Sequence, residues 1–425
     1  VRLPSPASPS SNPARIGRRA MNSRQGATLT PGEPTPQHCR DWADLLTQSE
    51  AGSAFLSPEW LLPWWQVFGP TQGRRPWTFT YQQQGQLIGF APLSLRTHWY
   101  HLGVPLRRWE IWGSGEEESD AICSDYLNVL ARHGAEETVA RELVRCLEAH
   151  GAGDEVVIPL MDRTQRQTQA LAEAFRRRGW WGEMEASTEA RWIRLPTSWE
   201  AYLASLKQQH RYWVRRTRRD LEAWAGASLQ VREAQQSDDL AALQAQLIQL
   251  HQERWNESSG GTFRTPFFLA FHRRIQEQWL ARGQLQLAVL SCFGRPVAAV
   301  YNLYWRDRVL FYQCGRSLQV PHGVRPGAWI LAWSIEKAIE RGYRSFDFLG
   351  GVAPYKAQFA PEVRPLIQLR FRWPGVTTSM QRGVEEMKKK VRSLLNWRPV
   401  SSQCVENRGE EPGRGEDNSS HGRIR

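Results

Sequence analysis

Large apolar residues run together over 296–303 and again over 309–315, and between the two runs stands the polar turn Trp305-Arg306-Asp307-Arg308. Their β-branched and aromatic content predicts two adjacent strands. A different rhythm follows. Ile330, Leu331, Ile335, Ala338 and Ile339 recur at spacings of three to four, which predicts an amphipathic helix over 328–341, with Pro326 suited to its first turn and Gly342 to its exit. Alternation returns over 343–351. On a strand Phe346 and Phe348 share one face while Ser345, Asp347 and Leu349 share the other, so Asp347 is expected in a partly buried space, where a carboxylate needs a partner. Gly350 and Gly351 permit a backbone conformation or a close approach that a side chain forbids, and Tyr355 and Lys356 follow directly. The segment reads either as a core strand ending in a turn or as a strand that hands its side chains to a ligand-touching loop.

The first half repeats parts of this order. Short helices are predicted over 41–46 and 57–68, the second with Ser57 as N-cap and Pro58 at its first position. Strands over 77–81 and 86–95 form a hairpin around Gln84 and Gly85, and a matching pair over 285–290 and 296–303 turns at Gly294. The parallel suggests an internal duplication. Further on, Ser124, Asp125, Tyr126 and Leu127 precede a helix over 136–150, a buried strand over 154–160, a helical segment over 163–178 and a strand around 190–195. Asp125 is either a site candidate or the carboxylate of an Asx turn or helix cap.

A third pattern is cationic. Along a helix over 205–222, His210, Trp213, Thr217 and Leu221, continuing from Leu203 and Leu206, trace a neutral stripe; Lys207, Arg211, Arg215, Arg216, Arg218 and Arg219 mostly take the rest of the circumference, against Asp220 and Glu222. Such a face is either solvated surface or a place for phosphate or carboxylate, which arginine's planar fork captures well. The net charge is +12, but residues 1–36 hold five Arg against one Glu and residues 376–425 hold ten Lys and Arg against seven Asp and Glu. Outside this helix the folded body is nearly neutral, which argues against a broad nucleic-acid surface.

At 425 residues, 41% hydrophobic and 23% charged, the chain has room for two domains with sizeable cores. The expected division is a disordered extension over 1–36, rich in Pro, Ser and Arg, a domain over 37–190, a second over 191–375, and a helix with a disordered tail over 376–425. Met21 is an alternative start. The six cysteines, at 39, 123, 146, 292, 314 and 404, show no C-x-x-C pair, which argues against a metal site and for a reducing cytoplasm. No stretch is long and apolar enough to span a membrane, and no hydrophobic signal region opens the chain. The 21 tryptophans are dispersed and read as packing residues rather than a base-stacking platform.

The succession of two strands, the loop Val324-Arg325-Pro326-Gly327, a helix, a strand ending at Gly351 and then Tyr355-Lys356 resembles the second half of a GNAT-type acyltransferase domain. The branch it matches is that of the cellulose-biosynthesis acetyltransferases (CelD/BcsL type), with the FemAB peptidyltransferases as more distant relatives. The resemblance runs over about 195–373 and more loosely back to about residue 39. It implies an α/β fold with a mixed α+β sheet, in two GNAT-like halves in tandem. It implies acetyl-CoA or another acyl-CoA as co-substrate, with Gln313, Gly323, Arg325 and Gly327 as its binding residues, although this loop has fewer glycines than the family's own. Lys356 matches a lysine that in the Fem relatives contacts the acceptor or the transition state. Asp347 would then act as base or orienter, and Tyr355 or Tyr312 would protonate the leaving thiolate. Arg211, Arg215, Arg219 and Asp125 are the implied acceptor-binding residues, because the relatives carry a basic helix and a Ser-Asp-Tyr-Leu segment near these places. His251 and His322 are further base candidates, although His251 reads first as a satisfied structural histidine. No metal is expected.

The activity so implied is acyl transfer to an anionic sugar, nucleotide-sugar or lipid-linked acceptor of cell-surface polysaccharide synthesis. Its setting would be the cytoplasm or the periphery of the inner membrane, beside membrane-associated synthesis machinery. Two alternatives stand beside it: a Fem-like aminoacyltransferase using aminoacyl-tRNA, the one reading with a nucleic-acid partner, and a catalytically inactive scaffold in polysaccharide assembly.

Overall fold

A computed structural model describes residues 26–100, 103–255, 263–375, 378–379 and 383. The first half runs β1 (Gly26–Pro31), α1 (Pro36–Gln48), α2 (Pro58–Phe68), β2 (Arg75–Gln83), β3 (Gln86–Trp99), β4 (Pro105–Ile111), β5 (Leu130–Ala131), α3 (Glu136–His150), β6 (Glu155–Asp162), α4 (Arg166–Arg177) and β7 (Trp181–Arg194). The second runs α5 (Trp199–Ser205), α6 (Gln208–Ala225), β8 (Gln230–Glu233), α7 (Ser237–Trp255), α8 (Pro266–Ala281), β9 (Leu285–Cys292), β10 (Arg295–Trp305), β11 (Arg308–Arg316), α9 (Pro326–Glu340), β12 (Ser345–Gly350), α10 (Pro354–Phe359) and β13 (Glu362–Arg372). The expected mixed α/β architecture is present.

Twelve of the strands form one continuous mixed sheet in the order β1-β2-β3-β4-β6-β13-β7-β12-β11-β10-β9-β8, and β5 pairs with β3. Each half holds antiparallel strands followed by a helical crossover to a short parallel ladder. In the first, β4 meets β6 only at Arg108–Glu155, Trp109–Val156 and Glu110–Val157. In the second, β11 meets β12 only at Arg308–Ser345, Val309–Phe346 and Leu310–Asp347. Beyond its ladder, each crossover strand carries a leucine in the left-handed region, Leu160 (φ 53°) and Leu349 (φ 57°), beside a register shift against its other neighbour. A non-glycine residue held there costs on the order of 1–2 kcal/mol, so its recurrence at matching places is a duplicated backbone device.

The two halves interlock. β13, the last strand, lies between β6 and β7, while β7 closes the first half and pairs with β12 of the second. The expected boundary at 190/191 therefore falls inside a strand and is corrected. Of the fourteen residues of β7 only Ala190 and Ile193 are buried, so its apolar pattern is too weak to reveal it. The cores do not follow that division either. Trp42, Trp60, Trp112, Phe271, Tyr312 and Leu349 belong to one cluster spanning both halves, and Val214, Ile335, Phe346 and Phe348 to another on the opposite face of the second half's sheet.

Two further expectations are corrected. Residues 26–31, assigned to the disordered extension, form β1 against β2, because Ala27 and Leu29 alternate onto the core while Thr28 bonds Thr80 at 2.8 Å. The basic helix is broken at Leu206 and Lys207, whose extended ψ angles of 148° and 146° separate α5 from α6. Residues 1–25 and the expected C-terminal helix and tail lie outside the described residues, apart from 378–379 and 383. Among the described residues no helix is long and apolar enough to cross a membrane.

Candidate active site

After Leu310 and Asp347 the parallel strands β11 and β12 no longer pair, so backbone groups of 311–316 have no ladder partner on that side. The helix that follows β11 begins beside the end of that strand, where a Cβ on Gly327 would lie 3.3 Å from the Arg316 side chain. Into the same region the first half sends the loop 112–128, in which Cys123 (φ 48°) and Tyr126 (φ 59°) are held left-handed on either side of Asp125. Such strain persists only where the surroundings enforce it.

Alternation on β12 sends Phe346 and Phe348 to one face and Asp347 and Leu349 to the other, as expected. Asp347 is buried and fully engaged: Tyr126 Oη donates to it at 2.8 Å, the Leu349 N–H at 2.8 Å and the Arg364 guanidinium at 3.1 Å. Burial pushes its carboxyl above the ordinary range, and Arg364 and these hydrogen bonds hold it back. Arg364 also bonds Asp162 at 3.0 Å, which ties the site to both halves.

Asp125 has a different environment. It is buried, accepts the Gly350 N–H at 2.5 Å, and has no cation within 4 Å among the described residues. Lys356, also buried, donates to the Leu349 carbonyl at 3.2 Å and the Gly350 carbonyl at 2.7 Å, again with no ion pair. Burial drives the Asp125 carboxyl up and the Lys356 ammonium down, each opposed by the field of the other. The glycine pair makes this approach possible. A Cβ at Gly350 would lie 3.2 Å from Asp125 Oδ1, and one at Gly351, whose φ is 104°, would lie 3.5 Å from Lys356 Nζ. A carboxylate and an amine of unusual affinity for protons thus face one strand end with hydrogen-bonding capacity left over, which suits proton transfer and charge stabilisation.

The loop 317–325 is shaped by Glu253, whose Oε1 accepts from Ser317 Oγ at 2.8 Å and the Leu318 N–H at 3.0 Å. At its end Arg325 is the N-cap of α9 and supplies no side-chain cap, and the first turn has no acidic residue. Those backbone N–H groups and the helix dipole suit an anion, with Arg325 beside them and the Arg316 side chain within 3.3 Å of a Cβ built on Gly327. The residues present therefore fit the diphosphate of an acyl-CoA. The matching helix of the first half, α3, starts instead with Glu136 and Glu137, which repel an anion.

The remaining expected residues are not gathered there. Tyr355 packs with the Phe346 and Phe348 cluster, on the other face from Asp347. Tyr312 Oη is buried and donates to the Ile122 carbonyl, with His272 Nε2 at 3.2 Å; burial pushes the phenol well above its usual range, so it fastens the Asp125 loop rather than facing a leaving group. Gln313 is half-buried on β11, Gly323 (φ 90°) accepts from Arg325 at 3.1 Å, His322 is exposed and His251 is a buried residue of α7. Arg211, Arg215 and Arg219 stand on α6, which meets α9 through Arg218 and Glu336 at 2.7 Å and through Trp329, which donates to Glu222 at 3.1 Å, and meets α10 through Trp213 and Phe359, ring centroids 5.4 Å apart. Sequence reasoning missed Arg364, Arg316 and Glu253, and did not give Tyr126 a role. Only Tyr126 left a signal, as the neighbour of Asp125.

The model of a family described as acetyltransferase (GNAT) domain matches residues 208–357, from the start of α6 into α10, a stretch that contains Asp347 and Lys356. No curated protein matches the chain. Among solved structures, FemX covers 84% of this chain and 99% of its own at 9% identity, with a TM-score of 0.54. The C-terminal domain (DUF2156) of a putative lysylphosphatidylglycerol synthetase from Agrobacterium fabrum covers 83% and 96% at 14% identity, TM-score 0.46. A tandem GNAT protein from the clavulanic acid biosynthesis pathway covers 82% and 100% at 11% identity, TM-score 0.44. The likeness to FemX spans both halves and is one of fold. With the domain match over the second half, the chain is an acyltransferase of the GNAT fold.

Proposed function

We propose that this protein transfers an acyl group, acetyl in the first place, from coenzyme A to a nitrogen or oxygen nucleophile on an acceptor of cell-surface polysaccharide synthesis, as the CelD/BcsL resemblance implies. The observation that carries the donor is the start of α9, without a side-chain cap and free of acidic residues, beside Arg316 at the end of β11. In this reading the nucleophile bonds to the thioester carbonyl carbon and passes its proton to Asp125. Lys356 stabilises the negative charge that develops. The carbon–sulfur bond then breaks and the thiolate leaves, taking up the proton that Asp125 received, which returns Asp125 to its carboxylate. Asp347, engaged by Arg364 and Tyr126, orients the strand end.

A second reading, an aminoacyl-tRNA donor, draws on the FemAB resemblance and on the fold likeness to FemX across both halves. Calorimetry with acetyl-CoA and with an aminoacyl-tRNA in parallel separates the two. Saturable binding of acetyl-CoA alone is the expected outcome. Binding of the tRNA alone moves the protein to the second reading, and binding of neither leaves an inactive scaffold.

A further inference from the structure

The cations of α6 divide into two sets. Arg216 and Arg219 share Asp220 at 3.1 and 3.5 Å, and Arg218 is held by Glu336 at 2.7 Å and Glu222 at 3.6 Å. Lys207, Arg211 and Arg215 have no carboxylate within 4 Å among the described residues. Their four-residue spacing makes them a ridge along one side of the helix, about 12 Å long at the α-helical rise. Val214, Thr217, Leu221 and Ala225 bury the inner face.

Exposed aromatic groups stand near both ends of α6. Tyr212 is 60% exposed and, with Lys207, Gln208 and Gln209, lines an open hollow of about 500 Å³ at the start of the helix. Near the other end Trp224 meets Phe293, ring centroids 5.1 Å apart, and Phe293 is 58% exposed at the tip of the β9–β10 turn. Unpaired cations on a helix that also bears aromatic groups with an apolar body at the surface match the chemistry of an anionic lipid–water interface. A soluble substrate would need the cations to converge on the reacting pair. They do not: Asp347 faces the opposite side of the sheet, and α6 packs on α9 and α10 rather than on the strand end that holds the pair.

We infer that the outer face of α6 docks on an anionic lipid surface. This goes beyond the proposed function by naming where its acceptor is met, on a membrane that presents a lipid-linked anion. It rests on that reading only for the acceptor, because docking needs no transfer chemistry. RNA would also be attracted by cations, but three unpaired charges neutralise few phosphates.

The test is co-sedimentation of the full chain with vesicles of phosphatidylcholine and with vesicles that also contain phosphatidylglycerol. Binding is expected to the anionic vesicles only, and to weaken as salt is raised. Lys207→Glu with Arg211→Glu and Arg215→Glu should lower the partition coefficient by roughly a hundredfold, since each basic residue is worth roughly fivefold at such a surface. Tyr212→Ser with Phe293→Ser should lower it with the salt dependence retained. Melting temperature and acetyl-CoA calorimetry of each variant report the fold and the donor site separately, so loss of docking is distinguishable from failure of the acyl-CoA reading. Three outcomes would overturn the inference: no anionic vesicle binding by the native chain, equal binding by the triple variant, or capture of an RNA oligonucleotide in place of vesicles.

Discussion

Asp125 and Asp347 are both buried carboxylates at one strand end, and their partners give them different jobs. Asp347 is ion-paired to Arg364, so Asp347→Asn leaves a largely buried guanidinium with Asp162 as its remaining carboxylate. That change is expected to destabilise the fold by about 2–3 kcal/mol, less than for an isolated buried pair. Asp125→Asn keeps an acceptor for the Gly350 N–H and removes a carboxyl whose ionisation burial disfavours. A carboxyl with a raised folded pKa gives stability at low pH that is lost as pH rises through that value, so above it Asp125→Asn should hold or raise the melting temperature. Turnover should fall about a hundredfold or more, as on loss of a general base. Thermal unfolding beside kinetics decides between them, and the assignment fails if Asp125→Asn loses stability and activity in proportion. A reaction needing ionised Asp125 and protonated Lys356 also has its acid limb moved up and its alkaline limb moved down, because burial raises the one and lowers the other. In pH–rate profiles Asp125→Asn should abolish the acid limb and Lys356→Met the alkaline one.

Among the elements, α9 and the loop 112–128 have the clearest consequences. Gly327 stands in the first turn of α9 against Arg316, so Gly327→Val would fill the anion cradle and push that guanidinium away. Acetyl-CoA should then bind roughly tenfold more weakly by calorimetry, about 1.4 kcal/mol, with the melting temperature little changed. Unchanged affinity would make this turn only a helix start. The loop is held by Tyr312 through the Ile122 carbonyl, with His272, which burial keeps neutral by pushing it down to about 3, behind the phenol. Tyr312→Phe keeps the ring packing and removes the fastening. It is expected to cost on the order of 1 kcal/mol of stability, typical of one hydrogen bond, but disproportionately more turnover, since Asp125 is then held less firmly. Helix α9 itself was legible, because its apolar spacing and the flanking Pro326 and Gly342 are local signals. The loop was not: its fastening joins residues 190 positions apart.

For the whole molecule, the exchange of β7 and β13 makes each half depend on a strand from the other, so urea unfolding should be a single transition in which tryptophan fluorescence and far-UV circular dichroism coincide. Separated transitions would mean that the halves are independent. The sequence by itself determined what depends on near neighbours: the period-2 faces of β12, the amphipathic stripe of α9, the glycine pair before Lys356 and the repeated hairpins, while the mixed α/β class came through the resemblance those elements carry. Side-chain direction and turn conformation are set within a few residues, and those patterns carry them. Only the tertiary structure decided that β13 crosses into the first half, that α6 packs on the other side of the sheet from Asp347, and that Asp125, Asp347, Lys356 and Arg364 converge. These depend on pairing between segments up to more than two hundred residues apart, where β7 is mostly polar and Arg364 lies in a strand with no local mark of function. The energy that selects such pairings is burial and hydrogen bonding summed over the whole sheet, and no window of the chain contains it.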